Sequence, residues 1–528
     1  MARPAESVEA VGARAYHDAT KHSSRSVRES AHFLDWENKP FLFKVYPAVP
    51  ATPLPREVAA PTRAALDALA AVASSDAAGL DVPTLAQLLF FAAGLTKKKV
   101  YGGGETVHFR AAASTGALYE VEVYVVAGAV VGLEPGVYHF SPGDFALRRL
   151  RAGDYRAVLR DLASEPTRVA EAPACLVLSA IYWRNTWKYQ ARAYRHFFWD
   201  AGTLLANLLA TAAAANVPAR VLLGFADAEV NRLLGLDPGR EAGLALVPLG
   251  AGAAPPPAAP AVEPLELATV PLSPREVDYP LIGQAYAGSS LANGAAARAW
   301  LGRPPSPAPS PAAPVSHSLV LAEAEAGPPL GSVILRRGST RQFSREPIAV
   351  SALSRILDVA VRELPLDLGG GAELVECYLL VHAVEGLPAG AYVFDSARRG
   401  LRQLRAGEFR QEGGYLCLEQ ALGADASAVV FFVADLGAVL ARYGDRGYRA
   451  VNLLAGLYGG RMYLAAYALG LGASGLTFYD DEVVRFFSPD AAGKDAIFVT
   501  ALGRAWRGRP GGLGQAAGAV EALRPGEA

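Results

Sequence analysis

The sequence predicts an α+β fold built twice in one chain, and three observations carry that prediction. The first is repetition at one offset. KYQARAYR (Lys188–Arg195) returns as RYGDRGYR (Arg442–Arg449), 254 positions later. The same shift carries LRAGDYR (Leu150–Arg156) onto LRAGEFR (Leu404–Arg410), and GLEPGVY (Gly132–Tyr138) onto GLPAGAY (Gly386–Tyr392). Matches at one spacing mean two copies of one unit. The second observation is that strand-like and helix-like patterns follow the same order in both copies. The third is size: 528 residues, 52% of them hydrophobic, exceed what one core organises.

Within each copy a helix comes first. Leu353, Ile356, Leu357 and Ala360 keep helical spacing after Ser351, a candidate N-cap; Leu85, Leu88 and Leu89 play that part in the first copy. Strand patterns follow, VEVYVVAGAVVGL and VECYLLVHAVEGL, then ACLVLSAIYW and AVVFFVADL. A long apolar helix succeeds them, FFWDAGTLLANLLATAAAA and AVNLLAGLYGGRMYLAAYAL, and a strand closes the copy, GLALVPLG and AIFVTALG. This mixture predicts α/β sandwich domains with helices on the sheet.

The expected organisation is an N-terminal extension (1–57), a first domain (58–250), a Pro/Ala-rich linker (251–330), a second domain (331–508) and a flexible tail (509–528). AGAAPPPAAPAVEP and RPPSPAPSPAAP favour an extended, semi-rigid linker. PLIGQAYAGSSLA between them predicts a short helix on a domain surface.

Composition excludes some functions. A net charge of −1 argues against nucleic acid or an anionic membrane as partner. Only 19% of residues are charged, so part of the surface is expected to pack against another domain or subunit. Cys175, Cys377 and Cys417 lie far apart with no CxxC pair, which predicts buried thiols in a reducing cytoplasm rather than zinc or disulfides. The N-terminus has no apolar signal region, and the apolar run at Ala201–Val217, broken by Asn207 and Asn216, is short for a membrane span and reads as a core helix.

The sharpest local motif is RRGSTRQF, Arg336–Phe343, just before a helix. Arg336, Arg337 and Arg341, with Ser339, offer an anion site, because guanidinium groups match phosphate in bidentate geometry; the plainer reading is a solvated basic turn. The stretch resembles the N-terminal signature of the nitroreductase superfamily of flavin enzymes. That resemblance implies FMN as cofactor, gripped at its phosphate and ribityl chain by these residues. Aligning the helices that follow places ALAAVA (Ala68–Ala73) opposite RRGSTR, so the first copy has lost this grip.

The first copy keeps something else. HFRAAASTGALYEVEVY, His108–Tyr124, holds a small-residue loop, Ser114-Thr115-Gly116-Ala117, which can bring backbone N–H groups close to a ligand. It resembles the RxxPSxGALYP segment of azoline dehydrogenases, the streptolysin-type branch of the same superfamily; Tyr16–Ser24, YHDATKHSS, also resembles their start. Ala113 and Glu120 stand where that family has prolines. At the shared offset the second copy has LGGGAE (Leu368–Glu373), where the segment has degenerated.

Nitroreductase-like enzymes are homodimers with FMN at the interface, so the resemblance implies an intramolecular pseudo-dimer of two tandem nitroreductase-like domains. One composite site would survive, with Arg336, Arg337, Ser339 and Arg341 from the second copy and Arg110, Ser114 and Gly116 from the first. Placement along the fold adds Ser474, Gly475 and Leu476 beside the flavin ring, and Arg504 near the phosphate.

The third motif is Lys188-Tyr189, which the family resemblance implicates in catalysis. Aromatising an azoline needs a carbon-bound proton removed and a hydride delivered to flavin. Lysine and tyrosine are poor bases at their ordinary pKa. Burial of Lys188, or Arg184, Arg192 and Arg195 near Tyr189, could lower either; the alternative is a structural aromatic with a snorkelling lysine. The second copy carries Arg442-Tyr443, and arginine cannot serve as a base.

Other candidates carry less. Asp480-Asp481-Glu482 reads as a solvated loop, and His17, His22 and His32 lack metal-ligand spacing, so no metal is expected. GGG at Gly102–Gly104 and Gly369–Gly371 lacks the setting of a dinucleotide fingerprint. LTKKKVYGGGE, Leu95–Glu105, reads as a mobile loop near the substrate entrance, its Lys97–Lys99 run solvated or facing an acidic peptide.

The resemblance implies an FMN-dependent dehydrogenase oxidising thiazoline or oxazoline rings in a ribosomally made peptide, or in a small-molecule azoline, with a cyclodehydratase complex as partner and dioxygen reoxidising the flavin. A generic NAD(P)H-dependent reductase of nitro compounds, quinones or flavins, and a non-catalytic flavin-binding scaffold, are the alternatives. Whether pseudo-dimers associate further stays open.

Overall fold

Val, Ile, Leu and Phe runs with little charge form the central strands, because side chains buried on both faces need no alternation. The computed structural model describes residues 10–73, 79–100, 106–258, 260–301, 314–321, 327–368, 374–506 and 520–527. In the first domain six antiparallel strands lie in the order Ala51–Pro53, Ala146–Ala152, Gly136–Ser141, Val121–Ala127, Ala174–Ile181, Glu241–Leu249. In the second, seven lie in the order Gly472–Gly475, Asp495–Gly503, Ala428–Ala434, Glu376–Val381, Gly390–Asp395, Gly400–Ala406, His317–Ser318. The five strands common to both sheets repeat the 254-residue offset of the sequence blocks, to within a residue.

Each domain presents one long helix to the other, Ala193–Ala214 and Arg446–Ala468. They cross where backbones meet. A Cβ on Gly202 would lie 2.3 Å from the Leu453 carbonyl oxygen, and one on Gly456 would lie 2.3 Å from that of Trp199. Gly202 and Gly456 are themselves equivalent at the 254 offset, as are Trp199 and Leu453, so the contact is isologous, the signature of a two-fold pair. Among the described residues the first long helix belongs to the one helical stretch long and apolar enough to span a membrane, and 94% of its 18-residue apolar window is buried in protein, as for the expected core helix.

Charged pins flank the crossing. Asp480 of the second domain accepts from Arg192 (3.0 Å) and Arg195 (2.6 Å) of the first. Asp227 of the first accepts from Arg446 (2.6 Å) and Arg449 (2.7 Å) of the second. The arginines are 254-residue equivalents and lie inside the two blocks that betray the repeat. Asp480 was expected in a solvated loop; it is instead buried at the start of the helix Asp480–Phe487, and cross-domain guanidinium partners explain how a carboxylate tolerates that position.

The extension and linker close the seam. Tyr16, on the helix Ala13–Ala19, donates to the Ala191 carbonyl of the first domain, while Ala13 N–H donates to Asp445 and Arg14 to Asp495 of the second. PLIGQAYAG forms the expected helix, Pro280–Gly288, but Ile282 and Tyr286 are buried, and Arg449 donates to the Tyr286 carbonyl at 2.7 Å. The segment is an inter-domain wedge rather than a surface helix.

Three further expectations change. Leu95–Val100, read as part of a loop, is a strand paired with Thr106–Arg110; Tyr101–Glu105 lie outside the described residues. The end of the predicted flexible tail, Val520–Ala522, is a strand on the other side of Lys97–Lys99. The helix Val350–Ala360 starts at Ala349 as N-cap, with Ser351 already inside it. The second GGG and the LGGGAE segment beyond Leu368 also fall outside the described residues.

Candidate active site

The Arg motif leaves the helix Leu330–Arg336 and is strapped to the second sheet by Thr340 N–H, which donates to the Ala473 carbonyl at 2.9 Å. From there it reaches across the seam. Arg337 is buried, and its Nε donates to the Ala111 carbonyl (3.0 Å) and its Nη2 to the Arg110 carbonyl (3.3 Å), at the root of the first domain's Ser114 loop. Lys97 returns the contact, its Nζ donating to the Arg336 (3.1 Å) and Arg337 (2.5 Å) carbonyls. Burial and the Arg337 charge bring Lys97 down to about 8. Arg336 and Arg341 are exposed, and among the described residues neither is paired with a carboxylate.

The Ser114 loop turns through Gly116 in the left-handed region, at φ 67°. A Cβ there would lie 2.9 Å from the Tyr189 hydroxyl, so the phenol rests on the loop. Ser114 Oγ donates to Asp200 at 2.6 Å and accepts from Tyr119 N–H at 2.9 Å. Thr115 gives Asp200 both its N–H (2.7 Å) and its hydroxyl (2.7 Å). Lys188 and Tyr189 end the helix Tyr182–Tyr189, and the positive field of Arg341 reaches both.

The electrostatics separate the pair. Burial, then Arg341, lowers Lys188. Burial raises Tyr189, and Asp200 and Glu120 raise it further. The expected helpers of Tyr189 are elsewhere: Arg184 is bonded to Glu122, and Arg192 and Arg195 to Asp480. Tyr189 therefore keeps its proton, and Lys188 is the member whose proton is made easier to remove.

On the second domain's side Tyr463 is the hub. Its hydroxyl lies 3.2 Å from Ser339 Oγ and accepts from Gly475 N–H, and its ring lies 5.9 Å from the Arg337 guanidinium. Ser474 and Gly475 form the edge strand Gly472–Gly475, and Leu476 continues it through its N–H to the Val499 carbonyl, 3.3 Å. Two expected residues are not brought in. Arg110 is buried, its guanidinium donating to the Val121 (3.1 Å) and Leu42 (2.9 Å) carbonyls with Glu122 at 3.7 Å, so it braces the loop from behind and offers no charge to a ligand. Arg504 donates to the Pro347 carbonyl at 3.1 Å and lies 3.9 Å from Glu346, beyond the outer end of the motif.

Asp200, Glu120 and Tyr463 were missed, though the repeat held a signal for all three. Their equivalents at the 254 offset are Leu454, Leu374 and Leu209. A polar residue whose repeat partner is apolar marks the working half of a diverged pair.

Through Trp183 and Trp187 the helix Tyr182–Tyr189 also walls a groove of about 610 Å³. Trp183, Trp187 and Gln190 face Phe33 of the extension and Arg275 and Tyr279 of the linker. Phe33 is 78% exposed and Trp36, in T-shaped contact with Trp187, 64%.

At the pseudo-symmetric counterpart, around Ala68–Ala73, about 20 Å³ remains, as it does beside Ser114 and Asp200, and Arg461 donates to the Leu69 carbonyl at 2.6 Å. Trp300 of the linker packs at a tilt on Tyr443, ring centroids 5.5 Å apart, and donates to its carbonyl at 2.6 Å. Asp367 accepts from the N–H groups of Leu223 (2.9 Å) and Gly224 (2.8 Å), sealing one domain to the other.

Comparison with known proteins agrees with this architecture. A protein of Anabaena variabilis, solved as a nitroreductase-like structure, is similar over 94% of this chain and 99% of its own, with 29% identity and a TM-score of 0.72. A nitroreductase-like protein of Methanocaldococcus jannaschii is 29% identical over 163 residues, 29% of this chain and 81% of that protein. A chain of the E. coli microcin synthetase McbBCD complex is 22% identical, covering 45% of this chain and 90% of that one at a TM-score of 0.29. The family profile described as "Nitroreductase family" matches residues 61–251 and 334–497, once in each domain, and the chain belongs to that family.

Proposed function

We propose that this protein is an FMN-dependent dehydrogenase that oxidises thiazoline or oxazoline rings to azoles in a ribosomally made peptide. One observation carries the reading: the Arg motif of one domain lies against the Ser loop and Lys188-Tyr189 of the other at the domain seam. The residues fit FMN. Arg336 and Arg341 present guanidinium groups without carboxylate partners, as a phosphate requires, and Ser339 and the Gly475 edge supply polar groups alongside.

FMN, when bound, supplies the hydride acceptor. The chain's own residues do the rest. Lys188, lowered by burial and Arg341, takes the carbon-bound proton of the ring. Tyr189 keeps its proton and hydrogen-bonds the substrate from the loop side. Arg337 and Lys97 hold the two domains together across the cleft. The aromatic groove walled by Trp183 and Trp187 suits the peptide flanking the ring, since stacked rings bind extended chains at low entropic cost. A cyclodehydratase is the proposed partner, because it would make the azoline.

Flavin content tests the reading: about one FMN per chain is expected of a fused pair with one composite site. A colourless protein that takes up no added FMN would leave a scaffold. Family membership alone also fits a generic reductase, and rapid bleaching by NADPH followed by nitroarene turnover would favour that instead.

A further inference from the structure

Asp200 and Glu120 are both buried beneath the Ser114 loop, at 5% and 0% exposure. The donors around them are distributed unequally. Asp200 receives Ser114 Oγ–H at 2.6 Å, Thr115 N–H at 2.7 Å and Thr115 Oγ1–H at 2.7 Å. Glu120 Oε2 lies 3.5 Å from Ser114 Oγ, whose only proton is already committed to Asp200, and Glu120 Oε1 is buried without a partner. Among the described residues no ion pair reaches either carboxyl group. Two adjacent buried carboxylates cannot both ionise, and the anion settles where the donors are.

We propose that Glu120 is a carboxylic acid at neutral pH, sharing its proton with an ionised Asp200, and that the pair positions the Ser114 loop and Tyr189 from behind. The inference rests on the reading of this cleft as the cofactor and substrate site. Burial raises both groups; the Asp200 charge raises Glu120 further, whereas hydrogen bonds from Glu120, Ser114 and Thr115 pull Asp200 back down, in agreement with the donor count. The groups facing the pair are Ser114, Thr115 and Tyr119 on the loop, Asn185 and Tyr189 on the helix Tyr182–Tyr189, and His196, which is bonded to Asn185 at 2.8 Å. From the second domain, Arg341 faces Tyr189 and Arg337 faces Tyr119. The pair adds one negative charge and one hydrogen-bond donor to this set. The charge keeps the proton on Tyr189, which leaves proton removal to Lys188. The shared proton lets Asp200 stay close to Glu120 while gathering Ser114 and Thr115, so the loop keeps its shape until Glu120 ionises. Glu120 stands where the azoline dehydrogenases carry proline, so this device is a property of the present chain.

The full chain tests this directly. Infrared spectra at neutral pH should show a carboxylic acid C=O band in the wild type that Glu120→Gln removes; an unchanged spectrum overturns the proposal. The second readout is the pH profile of FMN affinity. In the wild type it should fall about tenfold as rising pH ionises Glu120 and two anions repel beneath the loop. In Glu120→Gln, which has no such proton to lose, the fall should vanish; the same alkaline fall in both proteins overturns the proposal. A wild type that binds no FMN would sink the cofactor reading instead, and the infrared band, which needs no flavin, would still decide on the pair.

Discussion

The two clefts of this molecule were built from one plan and now differ in almost every residue that matters. In one, the Arg336–Arg341 motif faces the Ser114 loop and Lys188 across the seam. In its twin, Ala68–Ala73 replace the arginines, Arg442 replaces the lysine, Trp300 packs on Tyr443, and Arg461 spends its donors on the Leu69 and Val359 carbonyls. The scaffold between them has hardly diverged: the glycine crossing and both arginine–aspartate pins are symmetric. Selection on chemistry and selection on assembly have acted on different residues of the same helices.

The largest expected effect separates the clefts by function. Lys188→Met should reduce azoline oxidation by about a hundredfold or more, measured by product mass, while FMN stays bound. Loss of the yellow colour would mean that Lys188 holds the cofactor or the fold. Next come the pins, which should not distinguish the halves. Arg195→Met and Arg449→Met each leave a buried carboxylate short of a partner, and each should cost about 3–5 kcal/mol in denaturant unfolding. A large inequality between them would show that the symmetry of geometry is not one of energy.

Acid sharpens the same point. Arg192 and Arg195 hold Asp480 well below the carboxylate range against its burial, and Arg446 and Arg449 do the same for Asp227. Both folded values lie below the unfolded one, so this stabilisation is complete above the ordinary carboxylate pKa and is lost progressively as pH falls from there through the lower folded values. Acid melts should therefore show the two domains separating or unfolding together, and Asp227→Asn should flatten the acid limb. The smallest effect belongs to the closed twin. Arg442→Lys restores the residue pair there, yet flavin content should stay at about one per chain, because Trp300 packs on Tyr443 and Ala68–Ala73 offer no arginine to a phosphate.

Much of this was legible in sequence. The offset blocks gave two domains, and the Arg motif and Ser loop, each kept by a different copy, do come together at the seam, because divergence after duplication leaves its mark in the comparison of the halves. Other features depended on partners that no local pattern reveals. Arg110 fits the family segment, yet its guanidinium is absorbed by the Val121 and Leu42 carbonyls and Glu122. Asp480 reads as a solvated acid because its arginines are nearly three hundred residues away in the chain. Leu95–Val100 reads as a loop because one of its neighbouring strands comes from the far C-terminal end.

The extension's helix Ala13–Ala19 and the wedge Pro280–Gly288 bind both domains at once. Such a covalent brace sets the local concentration of each half around the other by chain length rather than by expression level. Neither half need ever meet a copy of itself. A change that would strike both clefts of a symmetric dimer falls here on only one, which leaves the other seam free to serve as a structural joint.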